Sequence, residues 1–200
     1  MSHYFENDPN LKSKELKVKI RIFDRIYNFV TDNGVFSKTG LDYGTRLLLK
    51  NVEVKEISGP VLDLGCGYGP IGIIVGSQIN YPVDMVDINE RALDLSKKNA
   101  KLNKVDNVTI FESNVYEQIT KKYNYIITNP PIRTGKQMIL NILLNAQEYL
   151  EADGTLLFVM RKDHGVKSIM KILEKEYQIT ILDRDKGFYI VKCTKVQKSA

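Results

Sequence analysis

The sequence has 200 residues, 43% hydrophobic and 26% charged, which is an ordinary balance for a globular domain with one well-buried core. No stretch approaches the roughly 18–20 uninterrupted apolar residues that a membrane-spanning helix needs, and the polar, acidic start lacks the basic and then apolar order of a secretory signal. The net charge of +5 is compatible with a polyanionic partner such as RNA, and two distant cysteines, Cys66 and Cys193, indicate free thiols in a reducing cytoplasm.

The first predicted element is a strand over residues 16–22, in which apolar and basic residues alternate strictly. A period of two places Lys17, Lys19 and Arg21 on one face of that strand. We expect this basic face to contact the phosphates of a nucleic acid, although a merely solvated face has the same pattern.

A return of the chain at Asp24-Arg25 would lead into a second strand over residues 26–30, and Asn33-Gly34 marks the turn that follows. The sequence therefore predicts a single domain over residues 1–200, with a small β-hairpin extension (1–35) ahead of a Rossmann-like core (36–200).

From residue 60 onward, short apolar strands alternate with longer helical patterns, which is typical of a doubly wound α/β fold with a mostly parallel sheet. The predicted strands are 61–64, 83–88, 108–111, 123–128 and 155–160, and the predicted helices are 71–79, 90–103, 135–150 and 166–176. Asn89 and Asp163 are predicted to cap the second and the last of these helices. Residues 177–182 and 187–193 are joined by a linker too short for a helix and are predicted to form a terminal antiparallel hairpin.

A glycine-rich turn follows the first of these strands, in the segment from Asp63 to Gly72. Glycines are needed where the backbone approaches a ligand closely or takes a positive φ, and we expect Gly65, Gly67 and Gly69 to do so. The same spacing also fits the dinucleotide fingerprint, so the glycines alone do not choose between a nicotinamide cofactor and S-adenosylmethionine.

The acidic residues around this turn favour S-adenosylmethionine. A carboxylate at Asp63 would repel a pyrophosphate but suits the ammonium of S-adenosylmethionine, and Asp87 closes the next strand, where it can accept both ribose hydroxyls. Asn114, just after the third strand, is a candidate acceptor for the adenine amino group. Cys66 is predicted to be a small packing residue in the cofactor loop, because no base with a recognisable spacing accompanies it.

The tetrapeptide Asn129-Pro130-Pro131-Ile132 ends the fourth predicted strand of the core. Two consecutive prolines stiffen the turn, and the carboxyl edge of a parallel sheet is where ligands bind. The side-chain oxygen of Asn129 and the carbonyl of Pro130 are expected to accept both hydrogens of a planar amino group, which directs the nitrogen lone pair toward a methyl donor.

These motifs resemble those of the class I methyltransferases that modify exocyclic or amide nitrogens. The run from Thr31 to Leu49, together with His3-Tyr4-Phe5, narrows the resemblance to the ribosomal RNA small subunit methyltransferase C family, guanine-N2 enzymes that act on 16S rRNA. The resemblance covers residues 3 to about 195 and is to a single-domain form, since many members carry a second, degenerate copy of the domain.

The resemblance implies a seven-stranded sheet of order 3-2-1-4-5-7-6, counted from the strand at residues 61–64. It implies cofactor contacts from the glycine loop, from the strand ends and from a segment over residues 36–45 that closes over the cofactor. The cofactor set is Asp63, Gly65, Cys66, Gly67, Gly69, Asp87, Ile88, Asn114, Asn129 and Thr45. Asn129, Pro130 and Pro131 form the catalytic turn, and Phe36, Lys38, Ile132, Arg133, Lys17, Lys19 and Arg21 are assigned to the RNA substrate.

One departure from the family concerns Ile132, which stands where the best-known members have an aromatic residue that can stack on the flipped base. Stacking is then expected from Phe36 or from the guanidinium plane of Arg133. The amide nitrogen of a glutamine in a translation factor, or the amine of an adenine, stays open as an alternative target. A nicotinamide-dependent oxidoreductase and a non-catalytic RNA-binding protein are the competing interpretations from other classes.

No metal is expected, because His3 and His164 stand alone and are interpreted as surface or capping residues. We expect a cytoplasmic enzyme, monomeric or homodimeric, with small-subunit ribosomal RNA as its partner.

Overall fold

The computed structural model describes residues 12–196, so the resemblance carried by His3-Tyr4-Phe5 lies outside the described residues. The strands are β1 Leu16–Ile22, β2 Arg25–Thr31, β3 Val61–Leu64, β4 Val83–Asp87, β5 Val108–Glu112, β6 Tyr123–Thr128, β7 Leu150–Arg161, β8 Tyr177–Asp185 and β9 Phe188–Lys195. The helices are α1 Tyr43–Lys50, α2 Pro70–Gly76, α3 Glu90–Leu102, α4 Lys136–Tyr149 and α5 Val166–Leu173. Single 3-10 turns cover Val54–Glu56, Ile132–Thr134 and Lys162–His164.

The main sheet has the order β5-β4-β3-β6-β7-β9-β8, which confirms the predicted order. The strands from β5 to β7 pair in parallel, whereas β9 pairs antiparallel with both β7 and β8, as predicted for a terminal hairpin. All carboxyl ends of the parallel strands therefore meet at one edge, and they position the site described below.

Both faces of the sheet are covered, because alternate residues of each central strand point into two separate apolar cores. One core contains the β1–β2 hairpin and the helices α1, α2 and α3. The other contains α4 and α5. Sheet residues such as Ile127 and Leu62 are fully buried in the first and second core respectively, which is the arrangement of a doubly wound fold.

The small β1–β2 sheet packs on α3, and its Tyr27, Phe29 and Val30 side chains are nearly inaccessible to solvent. Burying one such side chain stabilises the fold by about 1.5–3 kcal/mol. Asn99 of α3 fastens the hairpin further: its Oδ1 accepts from the Val30 N–H at 2.7 Å, and its Nδ2 donates to the carbonyls of Val30 and Tyr68 at 2.9 and 2.8 Å. The predicted division of the domain into an extension (1–35) and a Rossmann-like core (36–200) stays a prediction.

Two local predictions are wrong at turns. The β1–β2 turn consists of Phe23-Asp24, both with positive φ, because a two-residue hairpin of this twist needs that conformation and Arg25 already pairs with Ile22. Asp163 does not cap α5; the capping position is Gly165, in the left-handed region at φ 87°, and Asp163 lies in the 3-10 turn before it. Asn89, in contrast, caps α3 by accepting from the Ala92 N–H at 3.0 Å.

Several element boundaries differ from prediction, among them the end of α5 at Leu173 instead of residue 176 and the end of β8 at Asp185 instead of residue 182. The helix α2 ends at Gly76, three residues early. Asn107 Nδ2 donates to the carbonyls of Gly76 and Ile79, so these backbone acceptors have a hydrogen-bond partner without a continued helix. The strand β7 starts at Leu150, where it pairs with Tyr123 before an irregularity in the ladder. Among residues 12–196, no helix is long and apolar enough to cross a membrane.

Candidate active site

A cavity of about 490 Å³ lies at the carboxyl ends of β3, β4, β5 and β6 and is bounded by α1 and the start of α4. It gathers residues that are far apart in sequence. Of the predicted site residues, its wall contains Phe36, Thr45, Gly65, Cys66, Gly67, Asp87, Ile88, Asn114, Asn129, Pro130, Pro131, Ile132 and Arg133. Asp63, Gly69, Lys17, Lys19, Arg21 and Lys38 lie outside the wall.

The glycine loop is shaped from beneath by Asp63, which is fully buried at the end of β3. Its Oδ2 accepts from the Gly72 N–H at 2.7 Å, and a Cβ at Gly72 would come within 2.6 Å of the Met85 side chain, so only glycine allows this close approach. Gly69 is the N-cap residue of α2 and has φ 96°, a conformation that L side chains rarely adopt. Asp63 and Gly69 lie outside the cavity wall, but they fix the conformation of the loop that lines the cavity.

The second carboxylate oxygen of Asp63, Oδ1, is buried with no hydrogen-bond partner among residues 12–196. Burial raises the pKa of Asp63 to about 7, with a further rise from the nearby Asp87 carboxylate. A buried, unpaired charge is costly, so the folded protein holds the proton of this carboxyl group more tightly than the unfolded chain does.

We expect Asp63 to make the ligand-free protein less stable as the pH rises. The folded state holds this proton more tightly than the unfolded state, so stability falls between about pH 4 and the folded pKa of about 7, by at most about 1.4 kcal/mol per pH unit. Urea unfolding of the wild type and of Asp63→Asn at pH 4.5 and pH 8 measures this. The free energy of unfolding of the wild type minus that of the variant should be smaller at pH 8 than at pH 4.5, by on the order of 2 kcal/mol. An equal difference at both pH values would contradict the assignment.

Asp87 lies at the end of β4 and faces the cavity while its oxygens hold two backbone groups. Oδ2 accepts from the Gly67 N–H at 2.8 Å and Oδ1 from the Asn89 N–H at 2.9 Å. Each carboxylate oxygen can accept a second hydrogen bond. Asp87 therefore combines a role in shaping the loop with acceptor capacity toward a ligand.

Asn114 follows β5 and lies exposed at the rim of the same cavity. Its Nδ2 donates to Glu117 Oε1 at 2.8 Å, and this leaves the amide oxygen as an acceptor. Cys66 is buried in the wall, where burial raises the pKa of its thiol well above the ordinary value, so it is a poor nucleophile. Both cysteines are free.

The Asn129 amide is oriented by α1, a helix that the sequence analysis did not predict. Its Nδ2 donates to Thr45 Oγ1 at 2.9 Å, across 84 residues of sequence. Thr45 is itself buried and held at the start of α1, where the Asp42 side chain accepts from the Thr45 N–H at 3.1 Å. The Asn129 side-chain oxygen is consequently directed away from Thr45 and is available to a donor in the cavity.

An apolar group of exposed side chains surrounds the mouth of the cavity: Phe36 is 57% exposed, Met138 47% and Ile132 39%. Arg133 is exposed beside them. Lys38, which was predicted to bind the substrate, does not lie at the mouth of the cavity. Its Nζ donates to Asn33 Oδ1 at 3.3 Å, and its carbonyl accepts from the Thr31 hydroxyl.

The basic residues of β1 do not join the cavity. Lys17, Lys19 and Arg21 are exposed on the outer face of the hairpin, and they form no ion pair with another described residue. The predicted alternation is confirmed, since Ile20 and Ile22, on the other face of the strand, are buried.

The sequence analysis missed His164, which it interpreted as a surface or capping residue. The structure has its side chain 30% exposed in the cavity wall, with Nδ1 buried and without a hydrogen-bond partner in the described part of the chain. No local sequence signal marks it, because its position depends on the pairing of β7 with β6.

The chain is similar to methyltransferases. Residues 26–192 match the family model of the methyltransferase small domain. The uncharacterized protein YbxB of Bacillus subtilis (strain 168) is 38% identical over 198 residues, which cover 97% of this chain and 98% of that protein. Ribosomal RNA small subunit methyltransferase C of Haemophilus influenzae (strain PittEE) is 33% identical over 151 residues, covering 73% of this chain but 45% of that enzyme.

Among solved structures, the 16S rRNA N2 methyltransferase RsmC of T. thermophilus, determined with AdoMet and guanosine, has a TM-score of 0.78 and 24% identity. The match covers 94% of this chain and 52% of that one. At this identity the likeness establishes the fold, and the chain spans about half the length of the methyltransferase C proteins that it matches.

Proposed function

This chain belongs to the methyltransferase small domain family, and from that premise we propose that it methylates an exocyclic amine of ribosomal RNA, the N2 amine of a guanine in 16S rRNA, with S-adenosylmethionine as the donor. The observation that carries the proposal is the Asn129 amide, whose nitrogen is engaged by Thr45 and whose oxygen is left for an amine. It shares a cavity with Asp87 and the glycine loop. A ribosomal substrate implies a cytoplasmic enzyme.

The residues present fit S-adenosylmethionine. The Asp87 carboxylate, which faces the cavity, suits ribose hydroxyls, and the Asn114 oxygen suits the adenine amino group. The charge of Asp63, buried beneath the glycine loop, would attract an ammonium without touching it. The cavity volume lies within the range of about 300–1,000 Å³ that is usual for such ligands. When bound, the cofactor supplies a methyl group on a positively charged sulfur. A nicotinamide cofactor fits less well, because its pyrophosphate would lie near two carboxylates.

The chain's own residues act on the amine by positioning it. Asn129 Oδ1 and the Pro130 carbonyl would each accept one amine hydrogen, which fixes the plane of the amine and leaves the nitrogen lone pair unengaged. The two prolines stiffen the turn, so the acceptors need little reorganisation when the substrate arrives. The surplus proton of the methylated nitrogen passes to water or to a neighbouring carbonyl, so no dedicated base is required.

The side chains at the mouth of the cavity suit a flat, partly apolar substrate such as an RNA base. A base turned out of an RNA strand stacks on aromatic or guanidinium planes, and each such contact contributes about 1–3 kcal/mol. Phe36, 57% exposed at the rim, supplies the aromatic plane that Ile132 does not. Arg133 beside it supplies a charge toward phosphate.

The direct test of the proposed function is transfer of labelled methyl groups to naked 16S rRNA, assembled 30S subunits, 23S rRNA and a peptide release factor, followed by nucleoside and amino-acid analysis. N2-methylguanosine in 16S rRNA or 30S subunits is the expected product. Label in adenine or in a protein glutamine would overturn the guanine assignment. If none of the four substrates were labelled, the proposal of an RNA substrate would be wrong.

The basic face of β1 is expected to bind RNA phosphates rather than the cofactor. Replacing Lys17, Lys19 and Arg21 with glutamine should weaken RNA binding and reduce the slope of log affinity against log salt by roughly two to three, at about 0.7–0.9 per lost contact. Filter binding over a salt series measures this slope, and calorimetry with S-adenosylhomocysteine should show unchanged cofactor affinity.

A matched control removes the same three charges from the opposite face of the sheet. Lys167 and Lys171 lie exposed on α5, and Lys175 follows it. Their glutamine variant should keep the wild-type slope. If both triple variants behaved alike, the β1 face would be an ordinary solvated surface.

A further inference from the structure

The carboxyl edge of the main sheet is divided in charge. The half formed by β3 and β4 carries the carboxylates of Asp63 and Asp87. The other half consists of the ends of β6 and β7 and of the β8–β9 turn, which reaches this edge because Arg161 of β7 pairs with Phe188 of β9. A polyanion is repelled by the first half, so the second half is where its phosphates can lie.

The second half carries lysines that border the cavity. Three of them are exposed: Lys136, Lys162 and Lys186. Lys136 begins α4, three residues after Arg133 of the cavity wall, and its Cε would lie 3.6 Å from a Cβ at Gly165. The start of α4 therefore lies beside the turn after β7, where Lys162 is.

The turn after β7 is joined in turn to the β8–β9 connection. Lys162 N donates to the Gly187 carbonyl at 2.8 Å, next to Lys186. The Lys186 ammonium lies 4.5 Å from the centroid of the Tyr43 ring, and Tyr43 stands two residues before Thr45 of the cavity wall. The three lysines thus form a lysine arc along one side of the cavity rim, from α4 to α1.

The charge of the lysine arc is not neutralised within residues 12–196, where its members form no ion pair. The acidic side chains next to it in sequence have other partners: Asp163 pairs with Arg161 at 2.9 Å, and Asp185 accepts from the Tyr43 hydroxyl. Lys136 also occupies the first position of α4, where the helix dipole disfavours a cation. Helix stability therefore does not explain this lysine, whereas an anionic ligand at the rim would.

We propose that the lysine arc binds the phosphates that flank the target base, on the RNA strand from which that base is turned into the cavity. This inference rests on the proposed function. A base that is turned out of its strand leaves its flanking phosphates at the mouth of the pocket that receives it. Lysines bind phosphates as point charges and release counterions, so they add affinity and hold the strand in register without reading its sequence.

The test replaces Lys136, Lys162 and Lys186 together with glutamine and measures filter binding of 16S rRNA over a salt series. At about 0.1 M salt the affinity should fall at least about tenfold, and the slope of log affinity against log salt should decrease by roughly two to three. In methyl transfer to the same RNA, KM should rise at least about tenfold while kcat stays within about twofold, because these contacts are made equally in the ground state and in the transition state.

The matched control replaces three other exposed lysines that form no ion pair among the described residues: Lys97, Lys101 and Lys104. The helix α3 begins after the carboxyl end of β4, so its second half runs toward the opposite edge of the sheet, away from the cavity. The control variant should keep the wild-type slope and KM, and urea unfolding should show that both variants are folded.

The outcomes separate the lysine arc from the proposed function. If the variant of the arc lost no more affinity or slope than the control, or lost kcat with an unchanged KM, the phosphate contact would be wrong while the proposed function stood. A wild type whose binding of 16S rRNA depended on the arc, but which transferred no methyl group to RNA, would overturn the proposed function and leave the arc as an RNA-binding surface.

Discussion

Replacing Asn129 with alanine is expected to leave S-adenosylmethionine affinity within about twofold of the wild type, a margin of about 0.4 kcal/mol, while single-turnover methyl transfer falls at least about 100-fold. The reason is the separation of roles in the cavity. Asn129 is held by Thr45 on α1, whereas the acceptors that fit the cofactor belong to the ends of β3, β4 and β5. The measurement is a single-turnover assay with saturating RNA and labelled cofactor, beside a binding isotherm for each variant.

Asn129→Asp refines this result. An aspartate keeps one oxygen for the amine and can accept from the Thr45 hydroxyl with the other, so it should retain more activity than the alanine variant. An alanine variant that bound cofactor poorly but transferred normally at saturation would move Asn129 out of the catalytic role. Wild-type behaviour in both assays would reduce Asn129-Pro130-Pro131 to a structural turn.

Asp87→Ala should weaken S-adenosylmethionine binding by about 1.5–3 kcal/mol, because ribose hydroxyls lose a charged acceptor. The structure adds a second source of loss, since Asp87 also holds the N–H groups of Gly67 and Asn89. Calorimetry with S-adenosylhomocysteine gives the affinity, and urea unfolding gives the structural cost.

Asp87→Asn separates these two contributions. It keeps an acceptor for one of the two backbone groups but removes the charge, so its affinity should lie between those of the wild type and the alanine variant. Unchanged affinity in a folded alanine variant would remove Asp87 from the cofactor site.

Features that depend on neighbouring residues were predictable from the sequence. The mostly parallel, doubly wound sheet follows from the alternation of strands and helices, whereas its strand order came from the family resemblance. The Asn89 cap follows from a short side chain placed before an amphipathic run. The motifs at Asp87 and Asn129 come together because each ends a parallel strand, and such ends meet at one edge.

Features that depend on distant packing were not predictable. The helix α1 contains Gly44 and Thr45, which are poor helix formers, yet Gly44 is needed where a Cβ would come within 2.8 Å of Phe188. The same helix sets the orientation of Asn129. His164 reaches the cavity only because β7 pairs with β6, and no residue near it in sequence carries that information.

The buried amide of Asn99 has a consequence for shortening the chain. Every motif of the glycine loop and of the Asn129 turn lies beyond residue 60, and a protein cut at residue 35 would retain them all. Such a protein would lose Val30, which takes two of the hydrogen bonds of Asn99, and each buried polar group left unpaired costs about 1–3 kcal/mol. The remaining hydrogen bond of that amide goes to Tyr68, inside the glycine loop. Residues beyond 60 therefore carry all the catalytic motifs, but they need the β1–β2 hairpin to keep those motifs in their folded conformation.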